Sequence, residues 1–80
     1  MKIKVIVTLK KSVLDPQGAV IQQTLNGMGF DNINNIRQGK FFEIDLDEKD
    51  QKKAEEKAED MCKKLLANLV IEDYKIIESQ

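Results

Sequence analysis

The chain has 80 residues, enough for a single domain over 1–80, and a domain of this size buries only about 60% of the surface its unfolded chain exposes. Thirteen basic against fourteen acidic side chains give a formal net charge of -1, so no global field attracts a phosphate backbone or an anionic bilayer, and neither nucleic acid nor membrane is the expected partner. A single cysteine excludes an intrachain disulfide, and the absence of histidine removes the usual soft metal ligand and the side chain most used for proton transfer near neutral pH.

The opening MKIKVIVTLKK lacks the unbroken apolar core and small-residue cleavage site of a signal peptide, and no apolar run approaches a membrane span, so a cytoplasmic protein is the expectation. Lys2 to Lys10 alternates as a half-buried strand, with Ile3, Val5, Val7 and Leu9 on one face. Asp15 then stands where an N-cap belongs and Pro16 at the first helical position, while Ile21, Leu25 and Met28 recur at helical spacing. Gly29 can take the left-handed conformation that stops a helix, which predicts a first helix over Pro16 to Met28.

After a polar stretch, IRQGKFFEIDL reads as two strands or a bent pair turning at Gln38 and Gly39. In the later strand Phe42, Ile44 and Leu46 face inward. Asp47 to Asn68 reads as the second helix, with a stripe of Ala54, Ala58, Met61 and Leu65 broadened by Cys62 and Leu66. Its ordered pairs Glu48 with Lys52, Glu59 with Lys63 and Asp60 with Lys64 are spaced to attract. LVIEDYKIIES returns to strand chemistry. The order β, α, β, β, α, β predicts an α+β, ferredoxin-like sandwich: a four-stranded antiparallel sheet with both helices on one face.

The opposite sheet face would carry Ile6, Phe41 and Ile77 among Thr8, Lys4, Glu43, Asp73 and Lys75. Apolar side chains set among charges suggest a contact surface, with scattered exposed hydrophobes as the plainer alternative, and Ile6, Thr8, Phe41 and Ile77 are the candidate interface residues.

Other sites are harder to build. A phosphate loop needs glycines in the turn before a helix, but that turn holds Asp15 and Pro16, a carboxylate and a missing donor. RNA-recognition domains display aromatics at alternate strand positions, whereas Phe41 and Phe42 are adjacent and point to opposite faces. Cys62 lies on the inner side of the second helix, where packing is its expected role, and the abundant carboxylates read as a solvated surface. No catalytic, cofactor or metal site is expected.

Two families are similar in pattern. LDPQGAVIQQTLNGMGFDNINNI resembles the ACT regulatory domain in Asp15, Pro16, Gly18, Leu25, Gly29, Asn32 and Ile33, with Gln17 as an extra residue; that resemblance implies a free-standing amino-acid-binding module. VTLKKSVLDPQGAVIQQTL, IRQGKFFEIDL and above all MCKKLLANLVIEDYKI resemble the PurS family, the small subunit of phosphoribosylformylglycinamidine synthase, over nearly the whole chain. Leu69 stands where that family commonly has proline. The PurS resemblance implies a non-catalytic assembly subunit that bridges a glutaminase subunit and a synthetase subunit in de novo purine synthesis, as a homodimer or dimer of dimers. ATP, Mg and glutamine would be used by the complex, with no cofactor bound by this chain.

Overall fold

The computed structural model describes residues 1–79, with side chains placed through residue 77. The elements are β1 (Lys2–Leu9), α1 (Pro16–Gly27), β2 (Gly39–Asp45), α2 (Gln51–Met61), continued by a π-helical turn (Cys62–Leu66), and β3 (Glu72–Ser79). The strands form one antiparallel sheet in the order β2-β1-β3. Alternation in β1 buries Ile3, Val5 and Val7, which meet Ala54, Ala58 and Cys62 from α2 and the turn that continues it. Two alanines on the buried face of α2 let the helix backbone sit close to the strands.

The expected four-stranded sandwich is corrected to three strands among the described residues. Residues 30–38 form no strand, and three of their polar groups are bound instead to Lys10, Asp15 and Gln22. The N–H of Gln38 donates to Asp15 Oδ2 at 2.6 Å, Gln22 Nε2 donates to the carbonyl of Ile33 at 2.9 Å, and Arg37 Nη2 donates to the carbonyl of Lys10 at 2.8 Å. Only α2 lies on the sheet; α1 projects away from it, and the molecule is drawn out to 49 × 25 × 14 Å. The placement of both helices on one face is corrected accordingly.

Local signals hold at both ends of α1. Asp15 caps its start, Pro16 opens it, and Gly29 at φ 100° ends it in a Schellman motif, with Phe30 N–H on the Leu25 carbonyl and Gly29 N–H on that of Asn26. The second helix starts later than expected, at Gln51, because Asp50 caps Lys52 N–H at 3.0 Å. Its far end widens into the π turn, closed by Ala67 N–H on the Cys62 carbonyl at 3.0 Å. The wider turn shifts the following side chains around the axis, so Leu66 reaches the core region and Leu65 is 84% exposed instead of completing the expected stripe. Of the three expected charge pairs, Asp60 with Lys64 is present at 3.9 Å, while Glu48 reaches Lys57 at 2.8 Å and Glu59 accepts from the Tyr74 hydroxyl at 3.4 Å.

Candidate functional site

The open face of the sheet is as alternation requires. Ile6 lies opposite Phe41 on one side and Lys75 on the other, and Thr8 lies between Gly39 and Asp73. Ile77 sits at an irregularity where β3 shifts register between Lys4 and Val5. Ile6, Phe41 and Ile77 are all solvent-exposed, Phe41 at 56%. Cross-strand partners Lys4 with Glu43 and Lys2 with Asp45 carry charges around this apolar centre. Ile6, Thr8 and Phe41 thus share one face, with Ile77 exposed at the irregularity beside it, and nothing among the described residues covers it.

The helix side is incompletely covered too. A groove of about 390 Å³ lies between Ile44 of β2 and Met61, Leu65 and Leu66, with Asp60 and Lys64 at its rim. A helix stacked on β2 would close it, and α1 is not there. Instead α1 exposes its apolar stripe, Val20 at 61%, with Ile21 and Met28 also open to solvent. An isolated helix of 12 residues is marginal in water, and this one lacks a sheet beneath it.

What holds α1 outward is a neck that no sequence pattern announced. Gly18 is buried in the first turn of α1, and a Cβ there would fall inside the carbonyl oxygen of Ile36, so only glycine allows the two chain crossings to touch. The Asp15 carboxylate clamps the same crossing, accepting from Gly18 N–H at 3.0 Å through Oδ1 and from Gln38 N–H through Oδ2. The bonds from Gln38 and then Gly18 hold its pKa below the ordinary aspartate value. A glycine inside a helix's first turn was the one available hint.

Beside the neck, a crevice of about 360 Å³ is lined by Val7, Leu9, Asp15, Gln38, Lys40 and Glu72. Its charges are already engaged: Asp15 by two N–H groups, and Glu72 by Lys40 at 3.6 Å and by Asn68 N–H at 2.7 Å. An ionised carboxylate saturated with donors is a poor proton acceptor. Burial, and secondarily Glu59, pushes the Cys62 thiol up, which makes it a weak nucleophile. Among the described residues no group of three or more His, Cys, Asp or Glu side chains is placed to hold a metal, and no helix is long and apolar enough to cross a membrane.

Residues 2–79 match the family model described as PurS, phosphoribosylformylglycinamidine (FGAM) synthase. The chain is 47% identical over 75 residues to the phosphoribosylformylglycinamidine synthase subunit PurS of Methanocaldococcus jannaschii, covering 94% of this chain and 90% of that one. It is 46% identical to the Bacillus subtilis subunit, over 92% and 87% of the two chains. The crystal structure of the M. jannaschii protein, one of the subunits of formylglycinamide ribonucleotide amidotransferase, superposes with a TM-score of 0.86 over 95% of this chain and 92% of that one. A chain in the structure of PurLQS from Thermotoga maritima, 27% identical, superposes with a TM-score of 0.85 over 99% of both. With the three-stranded fold, its outward helix and a family match over nearly every residue in agreement, the chain belongs to the PurS family.

Proposed function

We propose that this chain is the small, non-catalytic assembly subunit of phosphoribosylformylglycinamidine synthase and bridges the glutaminase and synthetase subunits of that complex. Family membership supports the identity of the complex, and the apolar surfaces left uncovered by a single copy carry the role. The larger subunits use ATP, Mg and glutamine to convert formylglycinamide ribonucleotide to its amidine in the cytoplasm, and this chain contributes surface rather than a cofactor site. An amino-acid-binding role of the ACT type is not favoured, because Asp15 and Gly18, which carry that pattern, are occupied in the neck.

Two surfaces suit two levels of self-association. The groove beside Ile44 lacks a helix, and α1 lacks a sheet, so in a homodimer each copy's α1 covers the other's groove. The open face centred on Ile6, Thr8, Phe41 and Ile77 then joins dimers back to back. Ile21→Asp is expected to reduce the mass seen by light scattering to that of one chain, and Phe41→Glu to stop association at the dimer. Glutamine-dependent synthase activity of the larger subunits that shows no dependence on this chain would overturn the assembly role.

A further inference from the structure

We propose that the end of the sheet beyond Leu9 is a preorganised apolar tip that seats in a hydrophobic socket with a carboxylate rim on a larger subunit, an inference that rests on the assembly role above. Two loops meet at this end, and Lys10 ties them. Its N–H donates to the Ile71 carbonyl at 2.9 Å, its carbonyl accepts from Val13 N–H at 2.9 Å and from Arg37 Nη2 at 2.8 Å, and its ammonium pairs with Asp73 at 2.8 Å. The second loop is closed on itself: Ile71 N–H donates to the Asn68 carbonyl at 3.0 Å and Val70 N–H to Asn68 Oδ1 at 3.2 Å. From these braced loops Leu14 stands 88% exposed and Val70 83%. Large aliphatic side chains held in water on ordered backbone are poor solvation and good binding anchors, since little loop entropy remains to be lost on contact.

The charge around the tip selects the occupant. Of the carboxylates at this end, Asp73 pairs with Lys10 and Glu72 with Lys40, while Asp15 accepts from backbone N–H groups and lies in the field of the Arg37 cation. Four cations at this end, Lys10, Lys11, Arg37 and Lys40, stand against the three carboxylates, and among the described residues Lys11 has no carboxylate within salt-bridge distance, so the net charge is positive. A second copy docking tip to tip would bring those cations against their own equivalents. An apolar socket edged by Asp or Glu fits where the same tip of a second copy does not, and the chain's own groove, with Asp60 at its rim, is taken by α1 in the proposed homodimer.

The test uses the full chain as Val70→Asp, Leu14→Asp and the double variant Lys11→Glu with Arg37→Glu, each titrated onto the glutaminase subunit and the synthetase subunit separately. Each aspartate variant is expected to weaken binding to one of the two by roughly tenfold or more. The charge reversal should weaken the same binding and invert its dependence on salt, so that added salt strengthens it. Mass by light scattering should stay that of the parent chain in every variant, and thermal unfolding in the two aspartate variants; Lys11→Glu alone, which leaves the Arg37 bond to the Lys10 carbonyl in place, separates lost charge from a loosened tip. Binding unchanged in all variants overturns the proposal, and a lower mass in Val70→Asp reassigns the tip to contact between copies. If the variants lose binding to RNA or anionic vesicles instead, the occupant is not a larger subunit. Failure of the parent chain to bind either subunit removes the assembly role itself.

Discussion

Replacing Gly18 by alanine tests the neck, and Gly27 in the same helix provides the control. Glycine inside a helix costs about 0.5–1 kcal/mol relative to alanine, so on propensity alone both substitutions stabilise. At Gly27 an added Cβ meets nothing within 4 Å, and the gain should be realised, as a rise of about 2–8 °C in melting temperature. At Gly18 the same atom falls inside the Ile36 carbonyl oxygen, with the carbonyl carbon at 2.9 Å and Asp15 Oδ2 at 3.0 Å. Two of these atoms are backbone, and the third belongs to a carboxylate fixed by two hydrogen bonds, so relief requires separating the two crossings of the neck. Overpacking of this kind costs about 1–3 kcal/mol, which outweighs the propensity gain and reverses the sign. Guanidinium unfolding at matched chain concentration measures both variants. Gly18→Ala as stable as the parent, or more so, would refute the close approach of residues 18 and 36.

Leu69 occupies the second position of the turn closed by Asn68 and Ile71, and among the described residues its N–H donates no hydrogen bond. Leu69→Pro is therefore expected to stabilise by about 0.4–1 kcal/mol in the same unfolding assay. Because the folded Asp15 pKa lies below its ordinary 3.8, its contribution is complete above that value and is lost as pH falls through the lowered one. Asp15→Asn should consequently lose less stability than the parent on acidification below about pH 4, measured by urea midpoints. Cys62, buried and with its thiol pushed up, should react with a thiol reagent at pH 8 far more slowly when folded than in denaturant; equal rates would place it at the surface.

What could be read in advance was the physics that acts within a few residues. Alternation placed Ile3, Val5 and Val7 inside and Ile6 outside, and the cap, proline and positive-φ glycine bounded α1 within a residue. Asp47 and Glu48 looked like the start of α2, but Glu48 accepts from the N–H of Lys49 and Asp50 outside the helix, and Asp50 is the true cap. The fourth strand failed for a non-local reason: Gln38 is bound by a carboxylate 23 residues away, and no local pattern in IRQ records that. Leu65 was misplaced because a single widened turn rotates everything beyond it, with no distinctive residue to mark it. The same division applies to the site. The open face follows from alternation, while the neck and the tip depend on contacts between distant segments.

Putting β1 at the centre of the sheet has a consequence for biosynthesis. β1 is flanked on one side by β2 and on the other by β3, and Lys10 waits for Asp73, 63 residues further on. The sheet therefore cannot close until β3 has left the ribosome, and until then Ile3, Val5 and Val7 lack their last neighbours. One closure of long sequence separation thus sets the pace of folding, slower than local contacts alone would allow in a chain of this size.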